Sequence, residues 1–168
     1  MKNGNKAQKT AFRLLYVYST QSLKKLQLIK FFYALKGRNN NPGILQRTNS
    51  EFLAKGIIDT SIENKEDLEE FFKFWDVSYE VYKYKETSKK PNYAIFKYSS
   101  SHFSKKDKVK FHYALKGRNK NLGLIERTNS KFLAKSVLLV PISQAKDVED
   151  FFSVWSCEFE KKEVMING

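Results

Sequence analysis

The chain has 168 residues, of which 41% are apolar and 15% aromatic, and it carries 31 Lys or Arg residues against 18 Asp or Glu residues. This apolar content is too high for a disordered chain, and no apolar run reaches the roughly 18 residues of a membrane-spanning helix. The net charge of +13 favours a polyanionic partner, most often nucleic acid. A lysine-rich surface that serves only solubility is the simpler alternative.

The single cysteine, Cys157, excludes an internal disulfide bond and favours a reducing compartment. The Lys- and Asn-rich start of the sequence lacks the apolar core of a signal peptide. We therefore expect an intracellular protein, in the cytoplasm or in an organelle or nucleoid, with no membrane partner.

In chain order, the first predicted element is a strand over 12–18, which is rich in aromatic and β-branched residues and ends at a Ser/Thr turn. A helix is predicted over 23–36, because a glycine follows a lysine at its end. The same pair of elements recurs at 92–98 and 105–116, where Ser104 precedes the helix. Apolar alternation within 109–115 would suit a strand instead.

After an Asn-rich loop, two short strands are predicted at Ile44 to Arg47 and Phe52 to Ile58, and again at Leu124 to Arg127 and Phe132 to Val140. The clearest helix pattern follows, with apolar residues at i, i+3, i+4 and i+7 and acidic residues on the other side. Its apolar positions are Leu68, Phe71, Phe72 and Trp75, and then Val148, Phe151, Phe152 and Trp155. An alternating strand closes each half, near 79–84 and 159–164.

A long stretch of the sequence occurs twice. Residues 30–56 match residues 110–136 without a gap, with 19 of 27 positions identical. A fixed offset of this length predicts two copies of one unit, over 10–86 and 90–165. The element order of each copy predicts an α+β fold, a tandem duplication of a ferredoxin-like βαββαβ unit. We expect the copies to form an intramolecular pseudo-dimer within a monomeric chain, related by a rotation near twofold.

The sequence offers little catalytic chemistry. No phosphate-binding, dinucleotide-binding or nucleophile motif is present. The matched block keeps no acidic residue in both copies, and neither His102 nor His112 has a partner at metal-ligand spacing. We therefore expect no catalytic residue, no metal and no cofactor. An active site confined to one copy remains the alternative.

The matched block keeps cationic, aromatic and amide side chains in both copies, although core packing has no use for an Arg or an Asn at a fixed position. Lys and Arg neutralise phosphates, Arg and Tyr stack on unpaired bases, and Asn donates hydrogen bonds. The predicted nucleic-acid-binding residues are Tyr33, Lys36, Arg38, Arg47, Asn49, Lys55, Tyr113, Lys116, Arg118, Arg127, Asn129 and Lys135. A β-turn is the alternative explanation for the repeated Thr-Asn-Ser triplets.

These patterns favour a non-enzymatic nucleic-acid-binding protein, with DNA favoured over RNA because two equivalent sites suit a symmetric duplex. One rival is a duplicated endonuclease of the intron-encoded kind, which would need a carboxylate from each copy at the twofold axis. A second rival is a ribosome-associated or protein-interaction scaffold, whose binding would be insensitive to salt.

Overall fold

The structure is a computed structural model that describes residues 11–167. The Lys/Asn-rich start and Thr10, the first residue of the first predicted copy, lie outside that range. The described chain is a mixed α+β fold with one large antiparallel sheet and six helices. No helix within 11–167 is both long enough and apolar enough to cross a membrane.

Apart from two two-residue strands that only the second half contains, the two halves have the same elements in the same order. In the first half they are β1 (Arg13–Ser19), α1 (Lys25–Lys36), α2 (Ile44–Arg47), β2 (Glu51–Ala54), β3 (Ile57–Ser61), α3 (Lys65–Phe74) and β4 (Ser78–Glu86). In the second half they are β5 (Tyr93–Ser99), α4 (Lys105–Lys116), the two-residue strands β6 (Gly117–Arg118) and β7 (Asn121–Leu122), α5 (Leu124–Arg127), β8 (Lys131–Ala134), β9 (Val137–Pro141), α6 (Ala145–Val154) and β10 (Glu158–Ile166). A single 3-10 turn precedes α3 and another precedes α6.

The eight longer strands form one continuous antiparallel sheet in the order β2-β3-β1-β4-β10-β5-β9-β8. The halves meet where β4 pairs with β10, and there Lys85 lies opposite Met165, its equivalent 80 positions later. The flanking pairs are Glu86 with Val164 and Tyr84 with Ile166. Adding 80 to the first-half residue of either pair gives the second-half residue of the other pair. The pairing of the two halves is therefore symmetric about the Lys85–Met165 pair.

The predicted helices are confirmed, with α1 starting two residues later than the sequence indicated. Ser104 begins α4 as predicted, because its hydroxyl accepts a hydrogen bond from the Asp107 amide at 3.1 Å and donates one to the Asp107 carboxylate at 2.6 Å. In α3 and α6 the predicted apolar stripe faces the core, and each tryptophan follows directly after the helix.

The strands predicted at Ile44 to Arg47 and Leu124 to Arg127 are wrong, because both segments are one-turn helices, α2 and α5. Ile44 and Leu45 both pack into the same core. Successive side chains of a strand point to opposite faces, whereas neighbours at a helix start can share one side. The apolar content of these segments was correctly predicted, but its periodicity was too short to distinguish the two structures.

The single strands predicted at Phe52 to Ile58 and Phe132 to Val140 are also wrong, because each segment is a hairpin of two strands. The first bends at Gly56, whose φ of +95° lies in a region that favours glycine, and the second at Ser136, with φ of +71°. Copy two shows that a serine is accommodated at this turn.

Each half has a core between its helices and one face of its sheet. In the first half, Tyr16 and Tyr18 of β1 contact Phe72 of α3, Tyr18 also contacts Phe31 of α1, and Leu14 belongs to the same core. In the second half Phe96, Phe111 and Phe152 occupy the equivalent places.

A third core lies on the other face of the sheet and contains residues from both halves. Its members alternate along the strands with those of the outer cores, and the equivalent pairs Leu15 with Ile95 and Ile57 with Val137 both belong to it. A Cβ placed on Gly56 would lie 3.9 Å from that of Ala134, so the two edge hairpins approach each other. The sheet therefore curls so that its helix-free face in one half packs against its helix-free face in the other half. This packing buries the face that carries no helices.

The central core contains one buried ionic cluster. Asp59 is only 1% exposed, and its carboxylate accepts hydrogen bonds from Arg13 at 2.9 Å and from the Tyr84 hydroxyl at 2.7 Å. The Lys162 ammonium, from the other half, lies 3.8 Å away. Burial, followed by the proximity of this carboxylate, raises the pKa of Tyr84, so the phenol stays protonated and remains a donor. Asp59 thus links both halves through charged partners.

Candidate nucleic-acid interface

Each half carries an arginine stacked on a tyrosine at the end of its long helix. The Arg38 guanidinium carbon lies 4.4 Å from the centre of the Tyr33 ring, and in the second half Arg118 lies 4.6 Å from Tyr113. Both arginines are exposed, and the tyrosines are 41% and 40% exposed. Stacking holds each guanidinium in one place while leaving its N–H donors open to an anion.

A lysine from each long helix lies over a phenylalanine of the neighbouring hairpin. Lys36 Nζ is 3.8 Å from the centre of the Phe52 ring, and Lys116 Nζ is 4.9 Å from that of Phe132. These contacts fix the lysine stems against apolar surface while both lysines remain exposed. Two of the predicted cations per half are therefore positioned by aromatic rings.

The loop after each long helix is a compact turn held by its own backbone. Gly37 donates to Tyr33 O at 2.8 Å, and Arg38 and Asn41 exchange two backbone hydrogen bonds of 3.1 Å. The Gly43 amide donates to the Gln46 side chain at 2.9 Å. These amides are already engaged within the loop, so anion binding here falls to side chains.

Replacing Gly43 with alanine should lower the free energy of unfolding by about 1–3 kcal/mol, the usual cost of overpacking. A Cβ at this position would lie 2.3 Å from the Gly37 amide nitrogen and 2.4 Å from Leu35 O, and neither backbone atom has room to move. Urea unfolding of Gly43→Ala checks this. The exposed Asn40→Ala, three residues earlier, serves as the control; equal stability of Gly43→Ala and wild type would contradict the geometry.

The Thr-Asn-Ser triplets have a clear structural role. Thr48 is buried, and its hydroxyl donates to Ile44 O at 2.7 Å and lies 2.7 Å from the Ser50 hydroxyl. Asn49 has φ of +47°, a left-handed conformation that asparagine tolerates better than most residues, and Asn129 has φ of +48°. The turn interpretation therefore accounts for the triplets, while direct contact between these two exposed asparagines and nucleic acid stays a prediction.

All twelve predicted site residues are exposed, and the structure brings five of the six in the second half together around two open grooves. The α4–β8 groove, of about 870 Å³, is lined by Tyr113, Lys116 and Lys135 with Lys108, His112 and Phe132. The α4–α5 groove, of about 510 Å³, is lined by Tyr113, Arg118 and Arg127 with Lys110 and Trp155. Tyr113 belongs to both. Asn129 lines neither of them.

In the first half Arg47 also borders an acidic helix. It lines a groove of about 420 Å³ together with the carboxylates Asp67 and Glu70 and the ring of Phe74, which is 80% exposed. The equivalents of these carboxylates in the second half are Asp147 and Asp150.

Positive charge is concentrated in two basic segments, residues 24–55 and 104–135. The first holds seven Lys or Arg residues and one acidic residue, and the second holds ten and two. The remaining 104 residues carry 14 Lys or Arg residues and 15 acidic ones, so they are close to neutral. The basic segments contain α1, α4 and the following loops and hairpins, whereas α3 and α6 each carry a net charge of −2, from four carboxylates and two lysines in α3 and from three carboxylates and one lysine in α6. Each half therefore presents a basic helix beside an acidic one.

Sequence reasoning missed several lining residues. Lys110 has an identical partner at Lys30, so the repeat itself could have identified it. Lys108 and His112 occur in the second copy only, and reliance on residues common to both copies excluded them. Phe132 was assigned to a strand, without any indication that its ring would line a groove.

Residues suited to acid–base or metal chemistry are dispersed. The described residues hold no group of three or more His, Cys, Asp or Glu side chains that could bind a metal ion. Cys157 is buried, and burial raises its pKa to about 11, which keeps the thiol protonated at neutral pH. The residue of the second half that is equivalent to Asp59 is Leu139, so this position supplies a carboxylate from one half only.

No protein-family model matches this sequence, and no curated protein is detectably similar to it.

Proposed function

We propose that this chain is a non-enzymatic nucleic-acid-binding protein that contacts the sugar-phosphate backbone through its two basic segments. The observation that carries the proposal is the charge distribution, because residues 24–55 and 104–135 hold all of the net positive charge. Positive charge concentrated in one segment of each half is the electrostatic pattern of a polyanion-binding surface.

We further propose that the halves are duplicated ferredoxin-like units arranged as an intramolecular pseudo-dimer. The order β2-β3-β1-β4 within the first half, its mirror-image order in the second, and the symmetric pairing at Lys85 and Met165 support this. A twofold arrangement repeats each Arg–Tyr stack once per half. The backbone of a nucleic-acid duplex has local twofold symmetry, which suits two equivalent sites, and duplex DNA is the partner we propose.

The repeated Arg–Tyr stacks are the sites we propose for phosphate contact. A stacked guanidinium loses less conformational freedom when it binds an anion than a free one does, and its fork of donors matches phosphate geometry. The buried central core leaves the helix-and-loop side of each half as the surface open to a partner. The four predicted cations of each half lie on that side, at the end of the long helix, in α2 or α5, and at the hairpin turn.

Replacing Arg38 and Arg118 together with alanine should weaken binding to a duplex DNA by at least about tenfold. Hydrogen bonds to charged groups each contribute about 1.5–3 kcal/mol. Fluorescence anisotropy with a labelled duplex measures the affinity. The thermal midpoint should change little, because exposed substitutions usually alter stability by about 0.5 kcal/mol or less.

The control for this experiment removes the same charge elsewhere, with Lys89→Gln and Lys90→Asn in the connection between the halves. Asparagine is chosen because Lys90 has φ of +58°. Site-specific contact requires a much smaller loss in this control than in the arginine pair. Equal losses would show diffuse attraction, and a large fall in the midpoint of the arginine pair would show that the stacks stabilise the fold instead.

A further inference from the structure

The two halves differ where the long helix meets the hairpin. In the second half this place is the open α4–β8 groove, lined by the exposed side chain of His112. The equivalent residue of the first half is Phe32, which is half-buried and packs against the core. There Lys36 Nζ lies 5.8 Å from the Phe32 ring and 3.8 Å from the Phe52 ring, so a second aromatic ring lies beside this lysine where the other half has the exposed imidazole of His112.

The lining of the α4–β8 groove combines aromatic surface with positive charge. Phe132 and Tyr113 present rings, and Tyr113 is 40% exposed with Arg118 over its ring. Three lysines border the groove, and none of its described lining residues is acidic. One of these, Lys108, has the half-buried Leu28 as its equivalent, so the first half lacks both the cation and the histidine.

The size of the groove suits a small ligand group rather than a duplex. Its volume of about 870 Å³ lies within the roughly 300–1,000 Å³ of typical ligand clefts. Aromatic rings flanked by lysines are the usual means of holding a nucleotide, because the base stacks on a ring while a cation neutralises the phosphate. A paired base inside a duplex cannot expose its face in this way.

We propose that the α4–β8 groove takes one unpaired nucleotide, whose base lies against Phe132, Tyr113 and His112 and whose phosphate is neutralised by Lys108, Lys116 and Lys135. This inference rests on the proposed function and adds a difference in binding between the two halves. Both halves contact the backbone, and only the second half also holds a base. The preferred target is therefore nucleic acid with a duplex next to an unpaired stretch.

The test compares a labelled DNA duplex with the same duplex carrying a short single-stranded oligothymidine tail. For the wild-type protein the tail should increase affinity about five- to hundredfold, the usual effect of one stacked base. A tail of abasic sites supplies the same phosphates without bases, and it should give little of this gain. An oligouridine tail shows whether a ribonucleotide is accepted equally.

The matched variants exchange the two equivalent residues. His112→Phe should abolish the gain from the tail while leaving affinity for the plain duplex unchanged, because a phenyl ring at this position should pack against the core as the half-buried Phe32 does and no longer face the groove. Phe32→His should leave the gain intact. Each residue already occurs at the equivalent position of the other half, so the fold should tolerate both exchanges. With the wild-type protein, photocrosslinking of a 4-thiothymidine tail should label peptides from 108–116 or 132–136. This measurement needs no variant, so it tests the site even if a variant fails to fold.

Several outcomes would overturn the inference alone. These are a wild-type protein that ignores the tail, an abasic tail that gives the full gain, a His112→Phe protein that keeps it, or crosslinks confined to the first half. In each of these cases binding to the plain duplex would persist, and the proposed function would stand. Absence of binding to the plain and tailed duplexes alike would overturn both proposals.

Discussion

Raising the salt concentration from 50 to 200 mM should weaken binding to duplex DNA by about 10³- to 10⁵-fold, the range expected for six to ten phosphate contacts. The two halves offer eight repeated cations, Lys36, Arg38, Arg47, Lys55 and their equivalents, all of them exposed. Each cation that contacts a phosphate releases counterions from the DNA. Their release is less favourable at a higher salt concentration, so the affinity falls as salt is added. Anisotropy titrations at four salt concentrations give the slope of log affinity against log salt.

A variant that lacks two of the four repeated cations of one half calibrates this slope. Lys36→Ala with Arg38→Ala should make the slope shallower by about two, because two phosphate contacts are lost. The thermal midpoint of each protein, measured at both ends of the salt range, separates binding from folding. Affinity that does not depend on salt would contradict the proposed function and favour a protein-interaction scaffold.

Removing both cations around Asp59 should destabilise the fold by about 3–5 kcal/mol, the usual cost of leaving a buried charge without its partners. In Arg13→Met with Lys162→Met, the side-chain stems remain and the charges go, so the carboxylate keeps only the Tyr84 hydroxyl. Because the carboxylate is 1% exposed, water cannot replace the lost cations. Urea unfolding measures the free energy.

Adding Asp59→Leu to that variant should recover most of the lost stability, since leucine already stands at the equivalent position of the other half. Replacement of a buried ionic cluster by apolar residues is often neutral or stabilising. Two results would show that the Asp59 carboxylate does not depend on its charged partners. One is that Arg13→Met with Lys162→Met is as stable as wild type, and the other is that adding Asp59→Leu to this variant does not restore its free energy of unfolding.

Local patterns in the sequence were sufficient to predict the longer elements. The stripe from Leu68 to Trp75 spans two helical turns, so its period of 3.6 residues is unambiguous, and α3 lies where it was expected. Four residues cannot establish a period, which is why α2 was predicted as a strand. The turn at Gly56 was hidden because apolar residues lie on both sides of it.

Features that depend on how the halves pack could not be predicted in the same way. Nothing in the alternation along β1 indicates that Leu15 and Val17 contact the other half rather than solvent. Exposure of the repeated cations followed from their residue type, but their assembly around Tyr113 depends on the positions of α4, α5 and the β8–β9 hairpin. His112 was not predicted as a binding residue, because the prediction relied on residues that both copies share and His112 occurs in the second copy only.

The pairing of Asp59 with Leu139 at equivalent positions has a consequence for how such a molecule can be built. Two identical chains would place the same residue at both positions, giving either two buried carboxylates or none. A single covalent chain escapes this constraint, because each position can be altered without altering its equivalent. The peptide connection between β4 and β5 thus allows the two halves to specialise separately, so the two ends of one continuous sheet need not present the same surface.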